Sequence, residues 1–189
     1  MKNVTVNIAG AMRPVDVISM SDNLEDVQRQ IARFDGPLAV DVETTGLNIF
    51  GRDFRIRMVQ VATLEKAWVF PVESEPELSV IVAAVLASRP VLLAHNASYD
   101  LLCLDRFGYL DLEEAWTRTV DTRLLGHLLD PRSTADGAVG HNLENMASHY
   151  LGEDAHRYAD DLAAHVKASG WSKAEGFVNV STAEPIFHR

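Results

Sequence analysis

An apolar run closed by two carboxylates, Pro37-Leu38-Ala39-Val40-Asp41-Val42-Glu43-Thr44-Thr45-Gly46, constrains this chain more than any other stretch. Leu38, Ala39 and Val40 read as the entry to a buried central strand. Alternate side chains of a strand share a face, which points Asp41 and Glu43 the same way, about 6.5–7 Å apart along the backbone. Burying acids is costly unless they are paired or bound to a cation, and two on one face can hold a hard divalent ion. Two solvated acids at a strand end are the plainer reading of Asp-x-Glu taken alone; the Thr-Thr-Gly that follows favours the functional one.

The 189 residues suit one domain with a full core. No stretch is long enough to cross a membrane, and Met1-Lys2-Asn3-Val4-Thr5-Val6-Asn7 lacks the unbroken apolar core of a signal peptide. The single cysteine, Cys103, stands among Leu101, Leu102 and Leu104 and reads as a packed thiol, with a reducing cytoplasm as its natural setting. Seventeen basic against twenty-seven acidic residues give a formal net charge of −10, which argues against broad, salt-driven binding of duplex nucleic acid. A nucleic-acid enzyme stays open, because bound cations reverse the local field where a phosphate sits. Arg52, Arg55, Arg57, Arg118, Arg123 and Arg132 could supply local contacts, and an ordinary surface position is the plainer reading of each.

Val4 to Ile8 and Val15 to Ser19 alternate as two strands of a hairpin, with Gly10 and Pro14 marking the turn. Asp22 followed by Glu25 signals a helix start, and Leu24, Val27, Ile31 and Phe34 recur at helical spacing until Gly36-Pro37. Extended segments at 38–43, 55–62 and 66–71 read as a β-meander. A helix over 77–87, a short strand over 91–94, a helix over 97–107 and a short strand near Thr119-Val120 come next. That order fits an α/β, ribonuclease-H-like mixed sheet flanked by helices. Helical patterns at 121–129, 141–150 and 156–169 follow, and the chain reads as irregular after Gly170-Trp171. Residues 1–36 form a hairpin-and-helix extension and residues 37–189 the main domain.

A second cluster, Ala94-His95-Asn96-Ala97-Ser98-Tyr99-Asp100, places Asn96 as N-cap of the next helix and Asp100 one turn in, on the same face. Taken with Asp-x-Glu-Thr-Thr-Gly, this Asn-x-x-x-Asp resembles the DEDD family of 3′–5′ exonucleases, the proofreading type. Asp41 and Glu43 match its first motif and Asp100 its second, with His95-Asn96 preceding it. The resemblance runs from about residue 37 to 152, through Val120-Asp121-Thr122, His141-Asn142-Leu143-Glu144 and Tyr150-Leu151-Gly152. Within the family it is most similar to exonuclease domains of DNA polymerase I-like proteins, phage ones in particular. It implies two divalent ions, Mg²⁺ or Mn²⁺, bracketing the scissile phosphate, with Asp41, Glu43 and Asp100 as metal ligands and catalytic residues. A single-stranded DNA 3′ end is the implied substrate.

The family also implies a fourth carboxylate, and here two readings stand. Polymerase I-like members place it in Tyr-x-x-x-Asp; no such motif follows Trp171, while the stretch from Gly170-Trp171 to Pro185-Ile186-Phe187-His188-Arg189 resembles the approach to it. On that reading the chain is one part of a split enzyme, whose partner is a separate polymerase or C-terminal exonuclease fragment. The other branch uses His-x-x-x-x-Asp, a spacing that His156 and Asp161 have. A non-catalytic module that binds nucleic acid or a polymerase, and a ribonuclease resembling RNase D, are the competing functions. Asp121 reads as a helix cap rather than a ligand, and Trp68, Phe70, Trp116 and Trp171 as packing rather than base-stacking platforms. Gln60 could face the site or simply the sheet surface, and His127 and His149 lack metal-ligand spacing.

Overall fold

The computed structural model describes residues 2–8, 10–152, 164–172 and 180. Alternation at the amino terminus folds into β1 (Lys2–Ile8) and β2 (Ala11–Val17), an antiparallel hairpin. Pro14 lies inside β2, opposite Thr5, and not in the turn. It is tolerated because β2 meets its second neighbour only from Val15 onward. Helix α1 (Leu24–Ala32) is capped by Asn23, whose side chain accepts from the Asp26 amide, while Asp22 turns back to accept from Ser19 N. Val27 and Ile31, one turn apart, are its buried stripe.

The meander follows as β3 (Leu38–Thr44), β4 (Ile56–Ala62) and β5 (Ala67–Phe70), then α2 (Ser79–Ala87), β6 (Leu92–Ala94) and α3 (Ser98–Arg106). A short α4 (Leu112–Thr117), β7 (Thr119–Asp121), α5 (Thr122–Leu129) and α6 (Leu143–Leu151) follow, with single 3₁₀ turns at Pro76–Leu78 and Thr134–Asp136. Helical backbone is also present at residues 164–168, inside the predicted 156–169 segment. The seven strands form one sheet in the order β1-β2-β5-β4-β3-β6-β7. Neighbours β5, β4 and β3 run antiparallel, whereas β3, β6 and β7 run parallel, the mixed ribonuclease-H-like arrangement that the order of elements predicts. The hairpin belongs to the same sheet, since Val15–Val17 pair in parallel with Ala67–Val69.

Register sorts the side chains into two faces. Val42, Val59 and Phe70 stand opposite one another, as do Val40, Val61 and Trp68, and they form the main core under α1, α2 and α3. β3 is therefore buried on one face only. Asp41 pairs with Gln60 and Glu43 with Met58 on the other face, and Asp41 there is exposed. A smaller cluster covers part of that second face, where Val6, Val15, Met58 and Val69 pack against Val166, Trp171 and Val180. Among the described residues no helix is long and apolar enough to cross a membrane.

Candidate active site

Strand β3 outruns its parallel neighbour. Pairing with β6 stops at Ala39 with Leu93, so the backbone beyond has an open edge. Asp100, 5% exposed in the first turn of α3, fills it: its Oδ1 accepts from Val42 N at 3.2 Å. One hydrogen bond thus fixes the second-motif acid against the strand that bears the first. Tyr99, beside it, donates its hydroxyl to the Gly46 carbonyl at 2.8 Å and lies 2.7 Å from Thr44 Oγ1. Together these contacts clamp the Thr44–Gly46 turn onto α3.

The three acids share one electrostatic environment. Although Asp41 keeps solvent contact, the protein packed around its carboxyl desolvates it enough to raise it to about 6. Glu43 rises to about 7, through burial first and then the charges of Asp41 and Asp100, with Arg57 pulling the other way. Asp100 also rises to about 7, again by burial and then by Asp41, against the bond from Val42 N. Among the described residues no three of His, Cys, Asp and Glu form a ready-made metal shell. Asp41, Glu43 and Asp100 are coupled by charge, and oxygen donors with unneutralised charge are the chemistry that a hard divalent cation fits, with phosphate and water filling the remaining positions.

Asp121 caps α5, accepting from Arg123 N and Leu124 N at 2.8 and 3.4 Å. The same carboxylate accepts from Asn96 N and Ala97 N, at 3.0 and 2.9 Å. Burial opposes its ionisation, yet these four donors hold it below the ordinary carboxylate value. Asn96 is accordingly not the N-cap of α3: it takes a left-handed φ of 65° and its side chain accepts from Arg123. Ala97 stands in the cap position without a side-chain bond, and Asp121 does the capping work from another element. His95 bridges Thr122 Oγ1 and the His141 carbonyl, both at 3.0 Å. A carbonyl only accepts, so Nε2 carries the proton, and burial keeps the ring's pKa below its usual value.

Other expectations divide. Gln60 shares the acid-bearing face with Asp41. Trp68 and Phe70 are fully buried and Trp171 is partly buried, but Trp116 is 49% exposed, because the six residues of α4 turn Ala115 inward instead. Arg118 is not an ordinary surface arginine, since it reaches the Leu86 and Arg89 carbonyls and pairs with Glu114. Arg57 is 4% exposed and pairs with Glu73 at 2.8 Å. Its place inside an alternating strand was the available signal. His156 and Asp161 lie outside the described residues.

The sequence profile of the 3′-5′ exonuclease family matches residues 15–169. A DNA polymerase of Mycobacterium phage L5 is 33% identical over 177 residues, which is 90% of this chain and 30% of that protein. The chain thus spans about a third of the length of this relative. Among solved structures, the catalytic core of RRP6 from Trypanosoma brucei superposes with a TM-score of 0.59 at 16% identity, over 93% of this chain and 42% of that one. The EXO domain of Nibbler from Aedes aegypti gives 0.54 at 14% identity, over 87% and 95%. At such identities the structural likeness speaks for the fold.

Proposed function

This chain belongs to the 3′-5′ exonuclease family, of the DNA polymerase I-like type, and from that membership we propose that it is a metal-dependent exonuclease that shortens DNA from the 3′ end. What supports the reading is that Asp41 and Glu43 share one face of β3 while Asp100 is bonded to the Val42 amide between them, with carboxyls raised to about 6, 7 and 7 and coupled through their charges. Asp41 and Glu43 would hold Mg²⁺ or Mn²⁺ from the strand, and Asp100 from the helix. When bound, two such ions supply Lewis-acid activation of the attacking water and neutralise charge at the leaving 3′ oxygen.

The chain's own residues orient and hold. Asp100 is fixed by Val42 N through one carboxylate oxygen, which would leave the other for a cation. Tyr99 and Thr44 tie the Thr44–Gly46 turn to α3 beside the acids, where a nucleotide would lie. The net charge of −10 suits gripping a single 3′ terminus better than lying along a duplex. DNA, rather than RNA, is supported by the phage polymerase relative.

We place the fourth carboxylate in a Tyr-x-x-x-Asp segment outside residues 1–189, carried in a replication assembly with a polymerase. Two facts support this: the relative is about three times as long, and Val180 is held on the acid-bearing face. An end-labelled single-stranded oligonucleotide with Mn²⁺ tests the reading. Supplied with such a segment, the chain should release 5′-mononucleotides from the 3′ end, and Asp161→Asn should leave that rate unchanged. Internal cuts, loss from the 5′ end, or faster digestion of RNA would contradict it. Self-contained activity abolished by Asp161→Asn would move the fourth ligand to His156 and Asp161.

A further inference from the structure

We propose that Arg57 is a positioning residue that fastens the chain at Val180 to the acid-bearing face of the sheet, beside Glu43, and so sets where the segment with the fourth carboxylate meets the site. This rests on the nuclease reading above. The pairing of β3 with β4 slips between Glu43 and Thr44: Glu43 faces Met58 but Thr44 faces Ile56, and Arg57 is the residue the ladder steps over. Such bulges re-aim a side chain next to functional residues. Here Arg57 reaches the Val180 carbonyl, and Met58, adjacent in sequence, shares an apolar cluster with Val180.

Among the described residues the guanidinium bonds to two partners in different directions. Nε meets Glu73 Oε2 at 2.8 Å, and Nη2 donates to the Val180 carbonyl at 2.7 Å, joining residues 123 apart in sequence. Glu73 is itself held, because its amide donates to the Arg57 carbonyl at 3.0 Å. A buried arginine is costly to desolvate, and a packing role alone would be served by an apolar residue. What the fork adds is direction. Val166, Trp171 and Val180 lie on Met58 and Val69 through apolar contacts, which are non-directional and let a segment slide; one bond to a backbone carbonyl fixes its register. Val180 is 1% exposed, so the anchor is inside the molecule and out of competition with water.

Arg57→Met and Arg57→Lys test this, because lysine keeps the charge but cannot make both bonds. Leu86→Ala, in the opposite core, serves as a control of matched destabilisation. Hydrogen exchange at Val180 should quicken about tenfold or more in both Arg57 variants and stay within about twofold in the control. With Mn²⁺, DNA and a Tyr-x-x-x-Asp segment, kcat should fall about a hundredfold in both variants while KM for DNA changes less than about threefold, as expected for misplaced catalytic groups. Unchanged exchange at Val180 overturns the proposal. So does faster exchange with turnover at the wild-type rate, or full rescue by lysine. Should the wild-type chain turn over no DNA, the nuclease reading fails on its own, and exchange at Val180 still decides whether Arg57 holds the segment.

Discussion

On the proposed reading Asp41 is the residue on which the chemistry turns, and its environment makes a signed prediction. An aspartate in an unfolded chain titrates near 3.9, whereas here burial lifts the carboxyl to about 6. The folded state therefore prefers the protonated form. The stability this group contributes is complete below about pH 4 and is lost as the pH rises through about 6. With divalent ions chelated, Asp41→Asn should melt a few degrees above wild type at pH 8, and the gap should close towards pH 4. Mn²⁺ at pH 8 should reverse the order by stabilising wild type and not the variant. Scanning calorimetry at the two pH values checks this; a variant that melts below wild type at pH 8 without the cation would contradict it. Glu43 and Asp100 follow the same sign, each raised to about 7.

Between elements, one carboxylate joins two helix starts. Asp121 ends β7, caps α5 and receives the amides of Asn96 and Ala97 ahead of α3, the helix that carries Asp100. Asp121→Ala should lose about 1–2 kcal/mol, by the usual worth of a cap, and lower the melting temperature by roughly 2–8 °C. Thermal denaturation followed by circular dichroism measures it, and a change below one degree would mean that the cap is dispensable. The same contact shows what local pattern conveys. The hairpin, the meander and the β-α-β order were legible because alternation and helical spacing are local. Asn96 had the look of an N-cap because small polar residues before a helix usually are; the true cap stands 25 residues further on, and only the β6–β7 pairing brings it there. α4, six residues long, is too short to show a period. Likewise the parallel docking of β2 on β5 is a long-range choice that no stretch of either strand announces.

At the scale of the whole molecule, the sheet has an apolar side that holds the fold together and a second side that bears the acids. Asp41, Glu43 and Gln60 stand on that second side, and Val166, Trp171 and Val180 cluster there with Met58 and Val69, the cross-strand neighbours of Glu43 and Gln60. Spacing within two short motifs singles out Asp41, Glu43 and Asp100, which the fold couples by charge. It could not find Arg57, whose importance lies in a carbonyl 123 residues away. On this account the molecule is a cation-binding platform completed by one more carboxylate, and cation binding does not wait for that completion. Isothermal titration of Mn²⁺ into the chain at pH 7.5 therefore tests the central claim most directly. Wild type should bind, and Asp41→Asn should bind at least about tenfold more weakly, a loss of about 1.4 kcal/mol or more. Equal affinity in the two proteins would remove Asp41 from the site and the account with it.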